Sequence, residues 1–427
     1  MTHSLPIFNV MYTIYANKEE LIEFFESSES TLIGVAYEWE NENVIHIHTK
    51  PLNHSFGRVL SVLFCRDFND ANGCLQNYVV VINNLSDFNG KLYKNENGSL
   101  TELTLNYIPS RKELYSRSNG LLEVDILNEK RVVIIGLGSF GSQISIELAK
   151  AGVGKFSLFD FDRVELHNLA RHTSYANDLG RLKTDVISDC IKGKNPYAIV
   201  DKFPIDINRN YSLLSAEIEK ADIVVCATDN NPSRFNISKI LVEKQKVGIF
   251  GRAITRAEGG DIFKYVPGGA CYSCLIGNTQ LPTDEISDEV SARRDGRIAG
   301  YMSSEDAAAI VQVGLSSDIE PICNMMVKLI LVELSKGLQS GISSLENDLI
   351  FNYYLWANRR ERHYARWAEF PKSGNRPTVM RWYGAQINKN CHCPICSTSN
   401  IILDEGHDLN GDTPNKDDYK DVNLDEL

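Results

Sequence analysis

The apolar positions of this chain change period in an order that outlines its architecture. Glu19 to Ser27 carries its apolar residues at helical spacing, whereas Leu32 to Trp39 and Val44 to Thr49 alternate as half-buried strands do, and Tyr78 to Ile82 is a compact apolar strand. Asn89 to Ser99 (NGKLYKNENGS) has turn residues at both ends. Residues 1–110 thus read as a small, separate α+β domain. Tyr107 to Gly120, with Arg111, Lys112 and Arg117, reads as a linker.

A different rhythm follows. Val132 to Ile135 is a β-branched run that enters a turn carrying Gly136, Gly138 and Gly141; Ser142 to Ala151 has helical spacing, and Lys155 to Phe159 is a second short run ending on Asp160. Strand, tight turn, helix and strand make a βαβ unit whose turn offers backbone amides and a helix N-terminus to an anion. Ala221 to Thr228 reads as a further buried strand of parallel type, closed by Asp229, Asn230 and Asn231, and Lys246 to Phe250 as another. Arg256, Glu258 and Gly259 are expected in a loop, and Asn278 to Glu305 in a charged crossing segment. Pro321 to Lys336 reads as a mostly buried helix with Pro321 in its first turn and Gly337 ending it, and Asn347 to Tyr354 as a late strand. Residues 111–400 are therefore expected to form a Rossmann-like, doubly wound, mostly parallel α/β sheet domain. Residues 401–427 read as an acidic disordered tail.

Charge narrows the function. The 427 residues carry a formal charge of −12, which disfavours a general nucleic-acid or anionic-membrane surface. Nine acidic residues and two lysines between Asp404 and Leu427 hold most of that excess. Met1 to Val10 lacks a basic start and a long apolar run, so a cytoplasmic protein is expected, and the terminal Leu-Asp-Glu-Leu means little without an entry signal.

The segment after Asp160 sorts the nucleotide classes that share a glycine turn. Asp162, Asn168, Arg171 and Lys183 follow in order. An NAD-dependent oxidoreductase needs an acidic grip on ribose but little positive charge at the phosphates. Cleavage between the α and β phosphates of ATP instead calls for Arg and Lys groups and a metal ion. Asp229, at the end of a strand over the nucleotide crevice, suits Mg²⁺ on ATP, a role compatible with its also capping the helix before Pro232.

Ten cysteines in a cytosolic chain argue for thiols and metal rather than disulfides. Cys271 and Cys274 (CYSC) with Cys393 and Cys396 (CPIC) read as a structural zinc site tying the chain end to the sheet domain, with Cys391 able to replace one ligand. Cys323 reads as a buried core thiol, although a first-turn position would favour a thiolate. His46 and His48, with His54 nearby, read as a polar strand face, because no carboxylate or cysteine is placed to complete a metal set.

These residues together resemble the ThiF/MoeB-type adenylyltransferases, the superfamily that includes ubiquitin-activating enzymes and the microcin-activating enzyme MccB. The resemblance rests on GLGSFG with AGVGKFSLFDFD, then NLAR, LK at a helix start, ATDN closing a strand and the two CxxC pairs, from about Arg117 to Cys396. It implies that Gly136, Gly138, Ser139 and Gly141 form the nucleotide loop with Asp160 on the ribose, Asp162 beside it, and Asn168, Arg171 and Lys183 on the triphosphate. It further implies Mg²⁺ on Asp229 and a homodimer in which Arg117 reaches the partner's nucleotide.

The implied reaction is adenylation of the C-terminal carboxylate of a ubiquitin-like protein or a peptide, with a downstream conjugating enzyme as a further partner. Peptide activation of the MccB kind or sulfur-carrier activation is the alternative. Three features depart from the family pattern: Ser139 where glycine is commoner, His172 where Gln is usual, and a crossing segment without the cysteine that a thioester relay needs. Ser139 is expected to be tolerated if its φ is negative.

Overall fold

The computed structural model describes residues 12–39, 42–52, 57–83, 90–108, 114–118, 120–122, 124–254, 257–278, 314–338, 342–359 and 379–397. His54, Arg111, Lys112, Arg256, the crossing segment beyond Asn278, most of the arginine-rich stretch after Arg359 and the acidic tail lie outside them. Among the described residues no helix is long and apolar enough to cross a membrane.

The first sheet has eight strands: β1 (Thr13–Asn17), β2 (Thr31–Trp39), β3 (Val44–His48), β4 (Arg58–Cys65), β5 (Tyr78–Ile82), β6 (Gly90–Glu96), β7 (Ser99–Leu103) and β8 (Leu105–Ile108), in the order β7-β6-β5-β4-β2-β3-β1-β8. Helix α1 (Lys18–Glu26) lays Leu21 and Phe24 onto a core with Ile45, Ile47, Val62, Phe64 and Val80. Only Thr104 separates β7 from β8, yet these strands end opposite sides of the order. One residue spans about 3.5 Å and seven strand spacings about 33 Å, so the sheet curls until its ends approach. Tyr107 of β8 marks the approach, its hydroxyl accepting from the Gly90 amide of β6 at 2.9 Å.

His46 and His48 do share a sheet face, but the carboxylate missing from the local sequence comes from α1. Glu20 places Oε1 3.1 Å from His48 Nδ1 while its Oε2 accepts from the Thr49 amide at 2.8 Å.

The second sheet comprises β9 (Arg131–Ile135), β10 (Lys155–Phe159), β11 (Ile199–Phe203), β12 (Ile223–Cys226), β13 (Gly248–Ala253), β14 (Gly259–Tyr265), β15 (Tyr353–Ala357) and β16 (Arg381–Ala385). Its order is β11-β10-β9-β12-β13-β14-β15-β16; the pairs from β11 to β13 are parallel and those from β13 to β16 antiparallel. The chain steps outward from β9 to β11, then returns to the other side of β9 with β12. Order reverses there, and the carboxyl ends of β9 and β12 open a crevice.

Short helix α2 (Val124–Asn128) leads into β9. On one face, α3 (Ser139–Ala151), α4 (Lys183–Lys194) and α8 (Ser316–Ser335) pack Ile144, Leu148, Ile187, Ile191, Met326 and Ile330 against Val132, Ile134, Phe156 and Val225. On the other, α5 (Tyr211–Lys220), α6 (Asn231–Lys244) and α7 (Tyr272–Asn278) cover Val133, Ile135, Phe159 and Val224. Buried on both faces, these strands are near-continuous apolar runs for the reason parallel sheets require.

Four expectations change. Gly259 opens strand β14 rather than lying in a loop; its polar residues Asp261 and Lys264 are buried against Arg252 and Glu333. Helix α8 begins at Ser316, so Pro321 lies inside it and Cys323 two turns from its start. Asn347 and Asp348 end helix α9 (Ser343–Asp348), and the late strand begins only at Tyr353. Tyr107 belongs to β8, not to a linker.

Candidate nucleotide site and cysteine knot

The turn after β9 is built for close backbone approach. Gly136 takes φ +87°, and a Cβ on it would lie 2.7 Å from the Ala227 carbonyl oxygen. A Cβ on Gly141 would meet the Gly136 carbonyl oxygen at 1.8 Å. Gly138, at φ −74°, caps α3, and Ser139 opens that helix outside the left-handed region, so serine is accommodated where glycine is commoner.

Asp160, just beyond β10, braces the loop. Its Oδ2 accepts the Leu137 amide at 2.7 Å and its Oδ1 the Asp162 amide at 2.8 Å. Burial raises the carboxyl's pKa above the usual range, against Lys183 and the two amides, which stabilise the anion. Lys183, the first residue of α4, is nearly buried, and its Nζ lies 2.8 Å from Asp162 Oδ2.

Between them runs a short 3-10 turn, Leu166–Asn168, in which Asn168 is buried and its Oδ1 accepts the Glu165 amide at 3.0 Å. The Asn168 carbonyl then takes the amides of Arg171 and His172 at 2.9 and 2.8 Å. This folds the segment back so that His172 Nε2 stands 3.8 Å from where a Gly138 Cβ would be. Burial first, then the charges of Lys183 and Arg171, pushes the His172 imidazole down to about 3, leaving a neutral ring over the loop.

Asp229 follows β12 on the opposite side of the crevice. The Ala227 amide pairs with Ile135 O at 2.8 Å, holding this connection beside the glycine turn, and Asp229 itself is exposed. Asn230, not Asp229, caps α6, its Oδ1 accepting from the Ser233 amide at 3.0 Å. Arg117 is exposed in a turn fastened by the Tyr115 hydroxyl, which donates to Ala149 O at 2.8 Å. Ala149 is in the last turn of α3, and a 13-residue helix is about 20 Å long. This anchors Arg117 at the far end of α3 from this chain's own glycine loop.

The four paired cysteines converge. Cys271, Cys274, Cys393 and Cys396 are buried and their Sγ atoms lie within 4.8 Å of one another, with Sγ separations of 3.4 Å (274 to 396), 3.5 Å (271 to 393) and 3.9 Å (271 to 274). A tetrahedral zinc with Zn–S of about 2.3 Å sets its sulfurs about 3.8 Å apart, so the set fits zinc. The Asn390 amide donates to Cys274 Sγ at 3.4 Å. Burial raises the Cys271 and Cys396 thiols, whereas at Cys393 burial is overcome by backbone amides together with the hydrogen bonds to Cys271 and Cys274, so that thiol is lowered. Cys391 stays exposed and outside the set. Among the described residues this is the only group of three or more His, Cys, Asp or Glu side chains arranged to hold a metal.

Cys323 is different. It is buried beneath α3 with its Sγ 4.0 Å from Ser139 O, and burial, then Glu320, pushes its thiol well up.

Periodicity gave no sign of two buried polar residues behind Asp229. Arg234 donates to Thr228 O and to Asn231 Oδ1, and the Tyr272 hydroxyl donates to the same Asn231 oxygen. A single arginine five residues after Asp229 looks like a solvated helix face until its partners are known.

A doubly wound sheet with a glycine turn, a braced carboxylate and a buried lysine around its switch point defines a nucleotide-binding α/β domain. The ThiF family model matches residues 113–373, and the chain belongs to that family. Molybdopterin-synthase adenylyltransferase of Escherichia coli K12 is 35% identical over 153 residues, which are 35% of this chain and 60% of that protein. SAMP-activating enzyme E1 of Haloferax volcanii is 30% identical over 42% of this chain and 67% of its own length. Adenylyltransferase and sulfurtransferase UBA4 of Candida albicans is 25% identical over 56% and 52%. The chain thus spans about half to two thirds of these relatives. Among solved structures, E. coli MccB with succinimide matches at 19% identity and a TM-score of 0.47, over 68% of this chain and 75% of that one.

Proposed function

We propose that this chain is an ATP-dependent adenylyltransferase that activates the C-terminal carboxylate of a ubiquitin-like protein, giving an acyl-adenylate and pyrophosphate. The observation that carries it is the nearly buried Lys183, fixed through Asp162 beside the glycine turn, with Arg171 in the same fold-back. Such fixed cations stabilise negative charge developing on the α phosphate and the departing pyrophosphate; hydride transfer has no use for them.

In this reading, Gly136, Gly138, Ser139 and Gly141 admit the phosphates, and Asp160 holds the ribose while bracing the loop. Asn168 shapes the fold-back that carries Arg171. Asp229 holds Mg²⁺, which supplies charge neutralisation on ATP. Residues 1–110 serve as the docking module, and Arg117, remote from its own loop, completes the site of a second copy. The four cysteines hold zinc as a closed structural centre, since four thiolates leave no position for substrate.

The experiment is ATP–pyrophosphate exchange with candidate ubiquitin-like partners and with short peptides. Partner-dependent exchange is expected, and Asp229→Ala should lower it at least about 100-fold with the fold intact. Exchange at the parent rate in that variant refutes the Mg²⁺ role, and exchange with peptides alone favours peptide activation.

A further inference from the structure

Asp229 is exposed, yet the backbone on either side of it is held from beneath. Arg234, in the first turn of α6, is 6% exposed. Its Nη2 donates at 2.6 Å to the carbonyl of Thr228, the residue before Asp229, and its Nη1 at 3.3 Å to Asn231 Oδ1, two residues after it. The guanidinium brackets Asp229 from both sides. Buried hydrogen bonds from a charged donor are among the stronger ones, and a planar fork holding two acceptors fixes their relative position as well as their energy.

Asn231 Oδ1 has a second donor. The Tyr272 hydroxyl reaches it at 3.1 Å, and the Tyr272 amide donates to Ser238 Oγ of α6 at 3.2 Å. The Tyr272 ring, 1% exposed, stacks on Phe250 at 5.1 Å and meets Phe235 edge-on at 5.5 Å. It adjoins Cys271 in the chain, so the same stretch enters both the cysteine knot and the Asp229 loop.

We propose that Arg234 and Tyr272 are positioning residues that fix the Asp229 carboxylate for its metal ion and reference the Asp229 loop to the cysteine knot. The inference rests on Asp229 binding Mg²⁺ in the proposed reaction and adds the groups that set its geometry. Neither residue touches nucleotide or metal. Their effect passes through the backbone of Thr228 and the side chain of Asn231.

The test separates this from a bulk structural role. Affinity for a fluorescent ATP analogue is measured with and without Mg²⁺ for the full chain and for Arg234→Lys, Arg234→Met, Tyr272→Phe and Asp229→Ala, with zinc content and melting temperature recorded for each. Asp229→Ala should abolish the gain in affinity that Mg²⁺ brings. Tyr272→Phe, which deletes one oxygen, should keep its zinc and its Mg²⁺-free affinity and lose about fivefold of that gain, the worth of one hydrogen bond. Arg234→Met should lose at least about tenfold, and Arg234→Lys, which can still reach one acceptor, should recover part.

If Asp229→Ala keeps the Mg²⁺ gain, both the assignment of Asp229 and this proposal fall. If Asp229→Ala loses it while folded, zinc-loaded Tyr272→Phe and Arg234→Lys keep it in full, the positioning role alone is overturned. Should Arg234→Met not fold, the tyrosine and lysine variants decide.

Discussion

Asp229 and Cys271 are tied to one another through Tyr272, Asn231 and Arg234, yet the chain treats them in opposite ways. The carboxylate stands in solvent at a strand end, on a backbone that buried donors hold rigid. The thiol lies at 0% exposure among three others, inside the core that covers the second face of the sheet. On the proposed reading, a group that meets a ligand is left uncovered and its support is buried, while a group that only closes on its neighbours is buried itself. The contrast predicts which property each substitution moves.

The largest effect belongs to the closed centre. Cys271→Ser should release the zinc and lower stability by several kcal/mol, because metal binding of this kind is folding free energy. Elemental analysis with calorimetry checks it: a zinc-free variant that melts with the parent would end the structural-zinc assignment. At the open rim, the Asp229→Ala change described above should leave the melting temperature almost unchanged. Cys323 tests whether burial alone sorts the thiols. Cys323→Ala should destabilise by about 1 to 2 kcal/mol through a small cavity and leave exchange intact. A thiol-sensitive acyl adduct that forms in the parent and disappears in this variant would show that the buried thiol is used.

At neutral pH the smallest effect is at His172, whose contribution shows only on the acid side. Its folded pKa of about 3 lies below the ordinary 6.5, so between those values the unfolded chain binds the proton and the folded one does not. Stability from this group is present above about pH 6.5 and is lost as pH falls towards 3, with a slope of at most about 1.4 kcal/mol per pH unit. His172→Gln should flatten the acid side of a denaturation series by up to that slope. An unchanged profile would mean the ring is open to protons.

Most of the parallel half of the second sheet was legible because local patterns decide it; its edge strand β11 (IVDKF), only half-buried and without an apolar run, was not read. The glycines of the turn, the apolar runs of β9, β10 and β12, and Lys183 at a helix start all signal through neighbours a few residues away. The antiparallel half was not. Asp261 and Lys264 break the apolar run of β14, and distant partners explain how a strand can bury them: Arg252, nine residues back, and the Tyr353 hydroxyl on Asp261, and Glu333, 69 residues on, on Lys264. Glu20 lies 28 residues from His48, so the sequence around the histidines could not show the carboxylate they meet. Pro321 reads as a helix start because it lacks an amide, but the helix begins a turn earlier and accepts the missing bond. Arg234 and Tyr272 share the same handicap: their meaning lies in a carbonyl and an amide oxygen brought to them by the fold.

The cysteine knot also has a topological side. Cys271 and Cys393 are 122 positions apart, so closing the knot turns everything between them into a loop whose ends are fixed. The entropy of such a loop grows only with the logarithm of its length, and doubling it costs about 0.6 kcal/mol. Insertions into the connections around α8, β15 and β16 therefore add little to the cost of closing the knot, whereas those three elements pack into the core and the sheet and have to stay. Those connections are where the domain can acquire new modules while its sheet stays in register.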